Sequence, residues 1–581
     1  MVFEGRTSEQ YVVVEQDDPE QWPASSELVH VGKPHTRIDG AERVTGRAQY
    51  TYDVHPPGML VGKILRCPFP HARIKRIDTT AAEALPGVRA VISHLNAPRI
   101  EWYGDASLLF DTELMHEGDD VLAVAADDED TARDALRLVE IEYEELPFVL
   151  DPERALLPDA PKVATEGNLD GGEPSVQERG DFEQGLAEAE VVVEGRYTTS
   201  SQLHNSLETH GSVVQWEGDN LTVWTSTQFV FGVRNEVAEK LGLPRNKVRV
   251  IKNFMGGGFG SKGEAGKFTI IAALLAQRTR RPVKIMLDRR EENLVTGHRN
   301  PTVQVVKLGA RSDGTLTAVF HVRGRHRAYG FIGPVTGPAR EMYACPNVLT
   351  EEGAYTHTNP ATSFRAPGYV EGAFALESAM DELAEKLGMS PLDLRMKNYA
   401  ENDQESCKPY TVKELDRAYQ LGYQAIGWES HTESADDGSP LRRGVGMASQ
   451  IWGGNGGPPA HAVCKIESDG TLSVMSGTQD LGTGTTTMLA MIAAEELGMR
   501  VADVRVSLGD TRDMPYAPVS GGSMTAPAVG PAVRMAALEA RKLLLDVASS
   551  LMEVAPEDLD IENGEVYTPR CPRTASRSPS C

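Results

Sequence analysis

Five glycines stand within the eight residues Gly256-Gly257-Gly258-Phe259-Gly260-Ser261-Lys262-Gly263. Before them Val248-Arg249-Val250-Ile251 reads as a strand, and after them residues 264–277 read as a helix. Glycine adds no side-chain packing and costs backbone entropy, so this density marks a place where something comes close to bare main chain. At the start of a helix, that is usually a ligand resting on exposed amide N–H groups. Two more glycine-dense loops follow, Gly482-Thr483-Gly484 and Gly521-Gly522-Ser523. One elongated, phosphate-bearing cofactor gripped by several loops accounts for all three.

Two other readings compete. Gly258-x-Gly260-x-x-Gly263 has the spacing of a dinucleotide fingerprint, and Val283-Lys284-Ile285-Met286-Leu287 reads as a following strand ending at Asp288. Asp288 lies 25 positions after Gly263, slightly beyond the roughly 20 that a ribose-binding carboxylate wants. An NAD-dependent dehydrogenase is therefore one alternative. A glycine-rich turn that only lets a helix pack on a sheet is the other. A Walker A loop is excluded, because no Gly-Lys-[Ser/Thr] follows at its spacing.

Composition narrows the class of partner. Asp and Glu outnumber Lys and Arg 84 to 58, a formal charge of −26. Nucleic acid and anionic membrane surfaces both select a basic face, so neither is expected. Cys67, Cys345, Cys407, Cys464, Cys571 and Cys581 are scattered with no CxxC pair. That excludes a cysteine-ligated zinc ribbon or iron–sulfur spacing within the chain and suits a reducing compartment. The N-terminus lacks a signal-peptide core, and no apolar run approaches the roughly 20 residues of a membrane span. A cytoplasmic protein is expected.

With 581 residues the chain exceeds one core, and roughly three to five domains or subdomains are expected. Residues 1–28 read as a polar arm and 29–150 as an α/β unit. Residues 151–184 read as a linker rich in Pro, Gly, Asp and Glu. A second unit spans 185–425, a second linker 426–442 and a third unit 443–567. Predicted elements include a buried strand at Val121–Ala126 and a helix over 371–387 capped by Gly388. A hairpin is expected around Asp469-Gly470 and another from Ile561 to Tyr567. Residues 568–581 turn abruptly to Arg, Ser and Pro, which predicts a disordered tail and a third unit that is cut short or read out of frame.

The glycine loop also resembles one family, and other segments match it in the same order. They include Gly32-Lys33-Pro34, Arg37-Ile38-Asp39, Val44-Thr45-Gly46-Arg47-Ala48 and Leu85-Pro86-Gly87-Val88. Ser226-Thr227-Gln228, Phe364-Arg365-Ala366-Pro367-Gly368, Gly482-Thr483-Gly484, Gly509-Asp510-Thr511 and Gly522-Ser523-Met524-Thr525 follow. Over residues 30 to 565 the chain resembles the molybdopterin-binding large subunit of the xanthine dehydrogenase and aldehyde oxidase family. The wording is most like bacterial aldehyde oxidoreductases with separate subunits.

The resemblance implies an α+β and α/β multidomain fold. A hammerhead-like α/β domain would precede two molybdenum-cofactor-binding α+β subdomains, the second incomplete. It implies a molybdenum–molybdopterin cofactor, in the cytosine dinucleotide form usual in bacteria, with the metal held by the pterin rather than by side chains. Gln228 would hydrogen-bond an oxo ligand of the metal. Gly258, Phe259 and Gly260 would lie beside the metal, and Arg365 would line the pocket floor. Gly482, Thr483, Gly484, Ser523, Met524 and Thr525 would grip the phosphate end of the pterin.

The implied reaction is hydroxylation of an aldehyde or N-heterocycle with water-derived oxygen. Electrons would leave through partner subunits carrying 2Fe-2S clusters and FAD, assembled as a dimer of heterotrimers. Three departures stand out. The family's glutamate base has no match here, since Glu562 and Glu565 lie in the wrong context, so the chain as written is expected to be inactive or a non-catalytic truncated subunit. Gly263 occupies the position where xanthine-specific members carry glutamate, which argues against purines. Ala366 replaces the cysteine of carbon monoxide dehydrogenases, which argues against a copper–sulfur site.

Overall fold

The computed structural model describes residues 2–3, 6–7, 21–24, 26–102, 107–163, 167–168, 174–325, 333–353, 361–410, 412–431, 444–453 and 459–569. The tail expected at 568–581 lies almost wholly outside them, as do most of the second linker and most of the N-terminal arm.

The run Val-Leu-Ala-Val-Ala-Ala lacks polar alternation because both of its faces are covered. It forms the strand Asp120–Ala126, every residue of which is buried. Its sheet has seven strands, in the order Val248–Ile251, Asn220–Thr225, Gly211–Glu217, Val283–Met286, Leu60–Arg66, Asp120–Ala126 and Val88–Ser93. The sheet therefore crosses the boundary drawn at 151–184. Leu60 and Val61 pair in parallel with Val283 and Lys284, so the first and second units share one sheet and one core. In that core Leu60, Ile64 and Ala123 meet Val214, Val223 and Ile270. Strand pairing over more than 200 positions leaves no local sequence signal.

The first linker is also not loose. Ser175–Arg179 is a strand, paired antiparallel with Val348–Glu352. It forms one edge of a five-stranded sheet completed by Leu316–Arg325, Thr302–Ala310 and Val191–Thr199. The helix Tyr369–Leu387 covers this sheet, burying Leu376, Ala379, Met380 and Leu383. It ends at Gly388 in the left-handed conformation, φ 68°, as its apolar spacing and terminal glycine predict.

The third unit has three strands, Val463–Ile466, Leu472–Ser476 and Val504–Leu508. The helices Thr485–Glu496 and Thr525–Met552 pack on it through Leu489, Ala493, Val529 and Val533. The hairpins expected at Asp469-Gly470 and from Ile561 to Tyr567 both form. The described end of the N-terminal arm and the start of the first unit dock here, with Trp22 Nε1 donating to the Glu496 carboxylate. The backbone N–H groups of Val29, His30 and Val31 donate to the Glu495 carboxylate at 3.0, 2.6 and 2.9 Å. Among the described residues, no helix is long and apolar enough to cross a membrane.

Candidate functional site

The first glycine loop leaves the edge strand Val248–Ile251 and enters a helix at Lys267, three residues later than the sequence predicts. Gly257 and Gly260 take φ of 95° and 119°, and Phe259 is left-handed at 54°. A Cβ on Gly256 would lie 2.4 Å from Glu208 Cβ, and one on Gly258 would lie 2.5 Å from Gln228 Oε1. On Gly260 it would lie 2.1 Å from the Ser363 carbonyl. The close neighbours that demand glycine here are the protein's own atoms. Gly263, the third glycine of the dinucleotide spacing, has nothing nearer than 3.8 Å.

Gln228 joins this loop to the third unit. It is 3% exposed. Its Oε1 accepts Gly260 N–H at 2.8 Å, its Nε2 donates to the Ser520 carbonyl at 2.9 Å, and its backbone N–H donates to Lys262 O at 2.7 Å. An amide nitrogen carries two hydrogens, so one remains. The loop is braced from below by Glu208, whose carboxylate accepts from Gly256 N–H at 2.8 Å and Ser226 Oγ at 2.7 Å. Lys262 is buried against the Glu208 carbonyl and Ser226 Oγ, at 2.8 and 2.9 Å. Loss of hydration pushes its ammonium down to about 8.

The Arg365 turn meets the same loop. Arg365 N–H donates to Phe259 O at 2.9 Å, and Ala366 is left-handed at φ 57°. Phe259 is 46% exposed and Arg365 is also exposed. The guanidinium of Arg365 makes no ion pair among the described residues. An exposed cation and a half-exposed aromatic ring thus meet at one junction.

The other two glycine loops differ from each other. In the loop before the helix Thr485–Glu496, Asp480 folds back on its own backbone. It accepts from Gly482 N–H at 2.8 Å, Gly484 N–H at 3.2 Å and Thr486 N–H at 3.1 Å. Burial alone would raise this carboxyl, but those three N–H groups and the nearby Lys252 ammonium hold it below its ordinary value. Lys252 Nζ reaches the Asp480 carbonyl at 2.5 Å, and Arg37 Nη1 reaches the Gly482 carbonyl at 2.7 Å. The outer faces of Gly482 and Gly484 meet nothing within 4 Å.

In the loop before Thr525–Met552 no side chain caps the helix. Gly522 and Ser523 are left-handed at φ 57° and 61°, and both are exposed. Met524 N–H closes the turn on Gly521 O at 3.1 Å. The loops are linked through Ser520, whose hydroxyl donates to Gln479 O at 3.0 Å while its carbonyl holds Gln228.

Asp480, Lys252 and Glu208 were not legible as site residues. Asp480 did carry a signal, because an Asp two positions before a glycine at a helix start caps locally. Glu236 is a further case: its carboxylate accepts Ala265 N–H at 2.8 Å, and burial pushes it up to about 7. The dinucleotide reading loses its acid. Asp288 is the N-cap of the helix Arg289–Val295, accepting Glu291 N–H at 2.9 Å. Among the described residues, no group of three or more His, Cys, Asp or Glu is placed to hold a metal ion.

Comparison with known proteins identifies the domains and the family. Two regions, residues 167–399 and 421–579, match molybdopterin cofactor-binding domains. Residues 45–147 match the aldehyde oxidase and xanthine dehydrogenase a/b hammerhead domain. The aldehyde oxidoreductase molybdenum-binding subunit PaoC of Escherichia coli is 32% identical over 560 residues, 93% of this chain and 73% of the relative. The xanthine dehydrogenase molybdenum-binding subunit of Escherichia coli O157:H7 is 32% identical over 563 residues, 91% of this chain and 74% of the relative. Quinoline 2-oxidoreductase from Pseudomonas putida 86 superposes with a TM-score of 0.82 at 26% identity, over 93% of this chain and 75% of that one. The Cu,Mo-CO dehydrogenase superposes with a TM-score of 0.82 at 27% identity, over the same shares. The chain therefore belongs to the molybdenum-binding subunits of the aldehyde oxidoreductase and xanthine dehydrogenase family, oxidoreductases of the molybdenum hydroxylase type.

Proposed function

We propose that this chain holds a molybdenum–molybdopterin cofactor, in its cytosine dinucleotide form, between the glycine loop of the second unit and the two helix-start loops of the third. Its substrates are aldehydes or N-heterocycles, hydroxylated with water-derived oxygen. Partner subunits carrying 2Fe-2S clusters and FAD take the electrons, with a dimer of heterotrimers as the assembly and the cytoplasm as its location. The observation that carries this reading is the Gln228 node, which ties Gly260, Lys262 and Ser520 into one wall.

The residues present fit the group. Gln228 keeps one amide hydrogen for an oxygen of the cofactor and adds no charge. Gly258, Phe259 and Gly260 form the rim beside it. The bare outer faces of Gly482 and Gly484, with Thr483 between them, leave room for a pterin edge. Ser523, Met524 and Thr525 begin a helix with uncapped N–H groups, a natural seat for its phosphates. Arg365 supplies an exposed cation that orients a polar substrate. When bound, the cofactor supplies the two-electron redox centre; the chain supplies position, hydrogen bonds and exclusion of water.

Two carboxylates packed against the loops are committed elsewhere. Glu208 holds Gly256 and Ser226, and Glu371 is paired with Arg299 at 2.6 Å. The test is molybdenum and nucleotide analysis of the purified protein, with an aromatic aldehyde and an artificial electron acceptor as the assay. One molybdenum and one cytosine nucleotide per chain are expected. Tightly bound nicotinamide without molybdenum would overturn the reading.

A further inference from the structure

Two residues that are not glycine, Phe259 and Ala366, adopt left-handed backbone on either side of one hydrogen bond, Arg365 N–H to Phe259 O. Side chains with a Cβ avoid that region, so surrounding contacts must hold it. The contacts converge on one buried side chain. Arg299 is 6% exposed. Its Nη2 donates to the carbonyls of Phe364 and Arg365 at 2.5 and 2.7 Å, and its Nη1 reaches that of Ala366 at 3.4 Å. The guanidinium is neutralised by Glu371 at 2.6 Å and lies over the Phe364 ring, 4.7 Å from its centroid. Gly260 completes the packing, since any Cβ there would strike the Ser363 carbonyl.

We propose that Arg299 is the positioning residue of the Arg365 turn. Its planar fork holds three successive carbonyls, keeps Phe259 and Ala366 in their strained conformations, and fixes the direction in which Arg365 leaves the main chain. A lysine carries the same charge but no fork and cannot hold the three together. The proposal rests on the molybdenum hydroxylase reading only for what Arg365 and Phe259 face. The geometry of the turn stands apart from it.

The test compares Arg299→Lys, with and without Ala366→Gly, in the full chain and in its complex with the partner subunits. Amide hydrogen exchange over residues 363–368 is the first readout, with the strand Asp120–Ala126 as an internal reference. Arg299→Lys is expected to speed exchange at 363–368 at least tenfold and leave the reference unchanged. Glycine accepts φ near 57° without strain, so adding Ala366→Gly is expected to restore at least part of the protection. In the complex, Kd for an aromatic aldehyde should rise about tenfold while the molybdenum content stays the same. Unchanged exchange at 363–368, loss of protection in the reference strand as well, or a fall in molybdenum content with aldehyde affinity constant would each overturn the proposal. Local loosening in a protein that carries no molybdenum would uphold the role of Arg299 while the functional reading fails.

Discussion

The loops that open the helices Thr485–Glu496 and Thr525–Met552 are built from the same residues, glycine with Ser or Thr, yet they stand in opposite electrostatic states. The first is filled by its own chain, because Asp480 takes the N–H groups of Gly482, Gly484 and Thr486. The second has no capping side chain. A helix start offers unpaired N–H donors and a partial positive charge to any anion that reaches it. A carboxylate two residues upstream of the glycines gets there first. Glycine spacing alone thus identifies a nest without saying whether it is open, and of these two the 521–525 loop is the one that holds no internal carboxylate among the described residues.

Removing the internal carboxylate should break this contrast most severely. Asp480→Ala would leave three N–H groups without their acceptor and the buried Lys252 ammonium without its nearest counter-charge, while Arg37 keeps Asp39, a loss of about 3–5 kcal/mol. Hydrogen exchange across Thr485–Glu496 measures it, and the start of Thr525–Met552 should not change. Because the folded carboxyl lies below its ordinary value, its contribution is complete above the unfolded pKa, near pH 4, and fades as pH falls through the folded value.

The buried lysine behind the same loop gives the next largest effect. Lys252 is held at about 8, below the 10.5 of a hydrated lysine, mainly by loss of hydration. Below pH 8 the folded chain must carry this charge in its interior. Between pH 8 and 10.5 the unfolded chain binds the extra proton, so this group's contribution to stability rises with pH. The advantage of Lys252→Met over the parent chain in urea midpoint should therefore shrink from pH 7 to 10.5, by about 3 kcal/mol at most.

The clamp from the N-terminal segment sharpens the comparison at lower cost. Arg37 has a side chain 32% exposed and bonds Gly482 O at 2.7 Å. Solvent screening keeps its value near 1 kcal/mol or below. Arg37→Met should loosen the 480–486 loop alone, and salt should weaken the difference. The smallest effect belongs to the open loop. Ser523→Gly relieves a left-handed side chain, so stability should change by less than about 1 kcal/mol in its favour. On the reading that this loop seats the cofactor's phosphates, retention of the nucleotide through gel filtration should nonetheless fall.

Much of the fold was legible because it is written in local periodicity. The unbroken apolar run at 121–126, the apolar face of the 371–387 helix and its terminal Gly388, and the hairpins at 469–470 and 561–567 all appear where the sequence places them. What went unread depends on distance along the chain. Ser175–Arg179 looks like linker because its partner strand lies about 170 residues away. The shared seven-stranded sheet escaped for the same reason. Arg299 sits in no motif, and its role follows only from three carbonyls and a carboxylate brought to it by the turn at 364–366.

The sequence by itself determined where main chain must be bare, which segments alternate or run apolar, and, through ordered motifs, which family the chain resembles. Those are properties of neighbouring residues and of the backbone conformations glycine permits. The tertiary structure alone decided what fills each bare stretch: Gln228 and Ser363 against the first loop, Asp480 within the second, and, among the described residues, no capping side chain in the third. Hydrogen bonds and burial are set by atoms that the fold brings together, and a residue's partners lie hundreds of positions away as readily as two.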